Sequence, residues 1–371
     1  LESDLGPLNQ AGDVLVFVDE VDRHPFAMES VQSLAELPSN IKFIFTGSNL
    51  ENIRVENAAT GRKKYFDLFP ITFEEFLAAS DKKLHGVYVN AAIEGSSITE
   101  HLHTKLTERY DVYLRLGGMP KILDTYLDPS PSRQPIPELA SDIVATIEEN
   151  VKTVLSTKDG RYEYEDVLRK IALLSMNTLK FSRLQVQHAG RAEAKRLVTK
   201  TTGARVAHKI RLYENESYLS KYILFDTGIV NYLLNGADLL HNKISGPHGA
   251  ILHETFAGTQ MIASLISRDD LLYWKSGNRA ELEFALRYSG GLAGIDVKSE
   301  HGRNRSLDSF ALFEPEAGCL IKIGNYLPSI DRRYSAKLPT ESKTKTATMI
   351  TLPHYFAGRV PELLRTPSFE F

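Results

Sequence analysis

The sequence predicts a multidomain α/β protein, and three observations carry that expectation. Two apolar runs, Val14–Val18 and Ile41–Phe45, flank a segment whose apolar residues Phe26, Val31, Leu34 and Leu37 have helical spacing; strand, helix, strand with short joints is an α/β pattern. A long middle stretch, Ser80 to Ser156, has helical periodicity and no strong strand signal. Toward the C-terminus, strand-like runs at 271–274, 281–286 and 292–298 alternate with glycine-bearing turns. The 371 residues suffice for about two to four domains, each with its own core.

Composition narrows the function classes. The 42% hydrophobic and 25% charged content is that of an ordinary globular chain, and a net charge of -3 excludes bulk polyelectrolyte behaviour. Any nucleic-acid surface must be local. A single cysteine, Cys319, excludes an internal disulfide and a multi-cysteine zinc site and fits a reducing compartment. No apolar run is long enough for a bilayer and no signal-peptide pattern opens the chain, so a cytoplasmic location with no membrane partner is the expectation. The chain begins Leu1-Glu2-Ser3 rather than with methionine, which suggests a fragment of a longer product.

Val14 to Val18 runs straight into Asp19 and Glu20. A continuous β-branched and aromatic run suits a strand covered on both faces, and ligands collect beyond the carboxyl ends of such strands. In a nucleotide hydrolase the first carboxylate would hold Mg²⁺ and the second would polarise the attacking water; the alternative is a strand followed by a solvated acidic turn. Pro38-Ser39-Asn40 stops the helical segment that follows, and Ile41–Phe45 leads into Thr46-Gly47-Ser48-Asn49. A third strand is expected at Tyr65 to Phe69, and Thr72 with Glu75 reads as a capping box opening a helix.

VLVFVDEVD, FIFTGSN, GR and LFPITFEEF, in this order, resemble the second half of a P-loop ATPase core, as found in a bacterial and archaeal group of AAA-superfamily predicted ATPases that end in a restriction-endonuclease-like domain. The resemblance implies that Asp19 and Glu20 are the Walker B pair, that Ser48 or Asn49 occupies the sensor position against the nucleotide, and that Arg62 is a candidate arginine finger. It implies ATP and Mg²⁺ as cofactors, and a finger acting on a neighbouring site would favour a homo-oligomer. One departure is large: no Gly-x4-Gly-Lys-Ser/Thr stretch occurs in these residues, so the backbone cradle for phosphates is missing. Truncation upstream of Leu1 is the favoured explanation over genuine loss, and the 371 residues are not expected to hydrolyse ATP by themselves.

Leu116-Gly117-Gly118-Met119-Pro120 resembles the GG-x-P turn of the same family, and Pro129, Pro131, Pro135 and Pro137 mark a stiff connection before helical spacing resumes at Glu138 to Leu155. Between Arg161 and Arg211 stand twelve Lys and Arg against four Asp and Glu. Such segregation suits a local phosphate-binding face with steep salt dependence. Helical segments at Tyr164 to Met176, Arg183 to Ala189 and Glu193 to Thr201 precede an alternating stretch, Val206 to Tyr213, in the order of a winged helix-turn-helix. Arg183, Arg191, Lys195, Arg196 and Lys200 are the candidate DNA contacts; a solvated basic connector or a surface for an acidic protein is the alternative. The resemblance also implies a winged helix here. Asp226-Thr227-Gly228 reads as a structural turn, its aspartate capping the next helix.

The second constellation lies near the C-terminus. Strands 281–286 and 292–298, joined at Gly290-Gly291, form a hairpin that brings Glu283 to Asp296-Val297-Lys298, with residues 296 and 298 on one strand face. An acid pair with a lysine suits metal-assisted phosphodiester hydrolysis: the carboxylates hold Mg²⁺ or Mn²⁺, and the lysine orients water and stabilises developing charge. This is the PD-(D/E)xK pattern, and the family's closing domain matches it, with Glu254 standing at its helix glutamate as a further metal ligand. Two residues depart from that family: Glu283 replaces an aspartate and Asp296 replaces the commoner glutamate. A nuclease-like fold used only for binding is the alternative.

These readings divide the chain into the second half of a P-loop ATPase core (1–79), a helical lid (80–158), a winged-helix-like basic segment (159–244), a restriction-endonuclease-like domain (245–331) and a C-terminal tail (332–371). The expected function is an AAA-type ATPase acting on or bound to DNA, with a nuclease-like C-terminal domain; the alternative is a nucleotide-controlled DNA- or protein-binding regulator without nuclease activity.

Overall fold

The computed structural model describes residues 13–21, 40–47, 64, 66–91, 98–130, 132–155, 164–184, 191–214, 219–235, 239, 241, 244–277, 280–299 and 302–366. The helix expected at 25–37 lies outside them. At the N-terminal end, β1 (Val14–Val18) pairs in parallel with β2 (Ile41–Phe45), Val14 opposite Ile41 and Val18 opposite Phe45. The two strands form a sheet of their own. The expectation that β1 is covered on both faces does not hold: burial alternates along it, and Leu15 and Phe17 are 63% and 60% exposed. The pleat sends these side chains to the face that no packed layer among the described residues covers.

The third strand expected at 65–69 does not form among the described residues there. Phe66 and Leu68 are exposed, and a β run without a hydrogen-bonded neighbour has nothing to hold it extended as a strand. The capping box does form: Thr72 accepts from the Glu75 N–H at 3.3 Å, and Glu75 accepts from the Thr72 N–H at 2.7 Å, opening α1 (Phe73–Ser80).

Helices α2 (Lys82–Asn90), α3 (Glu100–Leu116), α4 (Pro120–Leu127) and α5 (Ile136–Leu155) follow, as the periodicity predicts. The Gly-Gly turn between α3 and α4 is a close joint. Gly117 has φ +71°, and a Cβ there would meet the Asp226 carboxylate, so glycine is required on both conformational and steric grounds. Asp226 accepts the Gly118 N–H at 2.6 Å and the Ile229 N–H at 2.9 Å. It therefore caps α8 (Thr227–Asn235) and ties that helix to the turn. Burial pushes its carboxyl up to about 6.

Helices α6 (Tyr164–Leu173) and α7 (Arg191–Gly203) precede β3 (Ala207–Leu212) and β4 (Lys221–Leu224), an antiparallel pair. The segment expected to be helical at 183–189 lies largely outside the described residues. This pair continues into one eight-stranded mixed sheet in the order β4-β3-β5-β6-β7-β8-β10-β9, where β5 is Leu272–Ser276, β6 Ala280–Tyr288, β7 Gly291–Val297, β8 Ala317–Gly324, β9 Ser329–Lys337 and β10 Thr344–Pro353. The sheet runs through the boundaries expected at 244/245 and 331/332. Residues beyond 331 supply its edge, because β10 lies parallel to β8, Ile350 opposite Ile321.

Helix α9 (Gly246–Ser264) and helix α10 (Arg305–Phe313) serve separate apolar clusters of this sheet. Phe256 of α9 lies in the larger cluster with Ile295 and Ile321, and Phe310 of α10 lies in the smaller with Leu292 and Leu320. Alternation along β7 and β8 divides these side chains between the two clusters. Helix α11 (Val360–Arg365) closes the described chain. No helix among the described residues is long and apolar enough to cross a membrane.

Candidate functional site

The N-terminal corner places Asp19 directly after β1, beside the end of β2. Both Asp19 and Glu20 are exposed. The Asp19 Oδ1 accepts the Glu20 N–H at 3.0 Å and the Thr46 hydroxyl. Backbone bonds from Thr46 to Val18 at 3.0 Å and from Val21 to Thr46 at 2.9 Å lock the two strand ends together. Glu20 adopts φ +50°, a sparsely populated region for a non-glycine residue. The corner presents a hydrogen-bonded carboxylate to solvent at the carboxyl end of a parallel pair. Ser48, Asn49 and Arg62, the other residues expected at this site, lie outside the described residues.

The C-terminal sheet gathers a denser set. Antiparallel pairing of β6 and β7 begins at Phe284 opposite Ile295, so the next pair in that register is Glu283 with Asp296. On its other side β6 carries a bulge: between Leu272/Ala285 and Trp274/Leu282 it spends one residue more than β5. Bulges re-aim a side chain, and Glu283 sits in this one. Its Oε2 accepts the Val297 N–H at 3.2 Å, in place of a ladder bond.

Asp296 is fully buried, and its carboxylate is met by the side chains of Lys298 and Glu283. Its counter-ion is Lys298, with Nζ 2.7 Å from Oδ2. Burial works against the Lys298 charge, but the Asp296 carboxylate outweighs it and holds the ammonium above its usual pKa. Burial, with the charges of Asp296 and Glu254, pushes the Glu283 carboxyl well above the usual range. Burial likewise raises Glu254 on α9 to about 7, with Lys221 and Lys298 opposing and Asp296 and Glu281 adding. Glu254, Glu283, Asp296 and Lys298 thus lie in one electrostatic neighbourhood.

The supporting residues were not legible in the sequence. His354 Nε2 donates to the Lys298 carbonyl at 2.8 Å. Its ring stacks on His253 with centroids 4.2 Å apart, and His253 Nδ1 hydrogen-bonds the Tyr110 hydroxyl at 2.5 Å. Burial lowers His253 to about 3 and His354 to about 4, so both rings are neutral near pH 7. A chain of contacts therefore joins α3, the start of α9 and the main chain at Lys298.

Among the described residues no group of three or more His, Cys, Asp or Glu side chains is placed to hold a metal ion. The three-carboxylate set of Glu254, Glu283 and Asp296 is accordingly not a ready cage. Mg²⁺ needs less, since it keeps several waters and takes one or two carboxylates. Glu283 with Asp296 comes nearest that demand: a half-buried and a fully buried acid that repel one another.

The basic segment forms a second feature. A cleft of about 680 Å³ lies between α7, the 179–182 segment and strands β3 and β4. Arg191 and Lys195, with Thr199 and Thr202, line it from one face of α7, and Lys180 and Lys209 line it from outside that helix. Among the described residues no carboxylate belongs to the lining. Of the five expected contacts, Arg191 and Lys195 enter the cleft. Arg196 instead pairs with Glu193 at 2.9 Å, and Lys200 does not line it. Arg183 ends the short 3-10 turn Phe181–Arg183, and its side chain lies outside the described residues.

Residues 2–77 match the model of a family described as an AAA domain. That match contains the Asp19-Glu20 corner and ends within α1, and it supports an AAA-superfamily ATPase-like domain in this part of the chain. Comparisons with curated proteins and with solved structures gave no match.

Proposed function

We propose that this protein is an ATPase-like regulator of DNA chemistry, in which nucleotide at the Asp19-Glu20 corner governs a cation-dependent, nuclease-like site at Glu254, Glu283, Asp296 and Lys298. The observation that carries this reading is Asp296, a fully buried carboxylate beside the Glu283 acid, with the Lys298 ammonium as counter-ion at 2.7 Å. Two neighbouring acids that share one counter-ion are costly to ionise together away from water, and a divalent cation would relieve that cost. A Mg²⁺ or Mn²⁺ ion held by Glu283 and Asp296 would supply Lewis-acid activation of a phosphodiester and of water.

The chain's own residues do the rest. Lys298, held through its carbonyl by His354, orients water and stabilises charge on the phosphate oxygens. Glu254, at about 7, is poised to exchange a proton near neutral pH. Single-turnover cleavage of labelled duplex DNA with Mn²⁺ tests the reading. Product is expected from the wild-type chain and none from Lys298→Ala; product from both, or from neither, would contradict it.

A second reading, a DNA-binding regulator without turnover, is favoured by the cation-lined cleft, which needs no metal. Phosphate contacts there predict affinity for duplex DNA that falls steeply with salt. Binding unaffected by salt would exclude it.

A further inference from the structure

The cation-lined cleft is ordered along its length. Arg191, Lys195, Thr199 and Thr202 recur at intervals of four, four and three residues, which is one face of a helix, and they span about 16 Å of α7. The Thr199 and Thr202 hydroxyls donate back to carbonyls of their own helix, so the charge of this wall sits at Arg191 and Lys195. Glu193, the acid of α7, lies off that line and pairs with Arg196. Across the cleft Lys209 stands directly opposite Tyr222 in the β3–β4 ladder, and the two side chains leave the same face of the pair. Lys221, between Ser220 and Tyr222, turns to the other face, where it is 2% exposed and lies 2.5 Å from Glu281; it adds no charge to the lining. Lys180, Arg191, Lys195 and Lys209 are all exposed and have no ion-pair partner among the described residues.

We propose that this cleft takes an unpaired nucleic-acid strand in preference to a duplex. The inference rests on the DNA-binding reading of the cleft and narrows its ligand. Four cations with no acid among them favour a polyanion. A volume of about 680 Å³ is that of a small-molecule site. A double helix, whose major groove alone is about 12 Å wide, can lay one backbone along the rim but cannot enter; a single strand can. The length of the α7 face argues for a chain over a free nucleotide, because backbone charges recur every ~3.4 Å along a DNA strand. The rings of Phe181 and Tyr222 in the lining argue against an acidic peptide, since an unpaired base offers a flat face for an aromatic ring. Phe181 is the ring for this role: it is half-buried beside Lys180, whereas Tyr222 is 7% exposed. In a duplex those base faces are already stacked on their neighbours, so the ring discriminates between the two forms.

Fluorescence anisotropy of the full chain with a labelled oligothymidylate, set against a duplex of the same length, tests this without turnover. The single strand should bind at least about tenfold tighter, with a salt slope of about −3 from four cations at about −0.7 each. Phe181→Leu keeps an apolar side chain but no ring; it should weaken the single strand about tenfold and leave the duplex unchanged, and Phe181→Tyr should bind as the wild type does. Duplex binding as tight as single-strand binding, or an unchanged single-strand affinity in Phe181→Leu, would overturn the proposal and leave the DNA-binding reading standing. Displacement of the strand by polyglutamate or by thymidine monophosphate, as readily as by unlabelled oligothymidylate, would overturn it too. Binding of neither nucleic acid would overturn the DNA-binding reading, and the proposal with it. Should Phe181→Leu not fold, the exposed pair Lys180→Gln/Lys195→Gln decides: the single-strand slope should fall by about 1.4, and an unchanged slope overturns the proposal.

Discussion

Asp19 and Asp296 are both tied to apolar strands in parallel pairs, yet they stand in opposite electrostatic conditions. Asp19 is exposed and accepts hydrogen bonds from Thr46 and from the Glu20 main chain. Asp296 is fully buried and leans on one lysine, 2.7 Å from its Oδ2. Water screens the first and stabilises it whether or not a ligand is present. The second depends on the cation beside it, so burial rather than residue type separates the two carboxylates.

This contrast predicts very different responses to substitution. The largest effect should come from Lys298→Ala, which removes the counter-ion of a buried charge and should cost about 3 kcal/mol of stability, measured by urea unfolding. Adding Asp296→Asn should recover most of that loss. If Lys298→Ala is neutral, Asp296 is less isolated than its burial indicates.

Next is pH. The folded pKa of Glu254, about 7, lies above its unfolded value of 4.5, so the folded state holds an extra proton between these values. Stability conferred by the neutral carboxyl is present below pH 4.5 and is lost as pH rises through 7. His253 and His354 act with the opposite sign, being depressed below 6.5, but they are common to wild type and Glu254→Gln and cancel in the difference. The variant should gain on the wild type by about 2 to 3 kcal/mol across that window; thermal melts at several pH values would show it, and parallel curves would refute it.

In the cation-lined cleft, Lys195→Gln and Lys209→Gln should each lower the salt slope of duplex-DNA binding by about 1. Fluorescence anisotropy over a salt series measures this, and an unchanged slope would remove the residue from the interface. The smallest effect belongs to the solvated corner: Thr46→Val should cost under about 1 kcal/mol, since water replaces the lost donor to Asp19.

Much of this architecture was legible because it is written locally. Apolar runs marked β1 and β2, and two strand-like runs about a glycine turn marked the β6–β7 hairpin; the Thr72/Glu75 spacing marked a helix start, and helical periodicity marked α2 to α5. The expected strand at 65–69 failed because a strand also needs a neighbour, which local pattern does not report. Lys221 was missed for a related reason. Its only signal is a lysine at the head of the apolar Tyr222-Ile223-Leu224-Phe225 run, and the acid that permits its burial lies on β6. The aim of Glu283 depends on a bulge against β5, and the cleft takes Lys180 and Lys209 from segments flanking α7. These placements come from tertiary register and not from spacing.

The central claim is that the Glu283/Asp296 pair is built to receive a divalent cation. Isothermal titration of Mn²⁺ into the wild-type chain and into Asp296→Asn tests it most directly. A binding event in the wild type that Asp296→Asn abolishes is the predicted result; equal binding by both proteins, or none by the wild type, would contradict it.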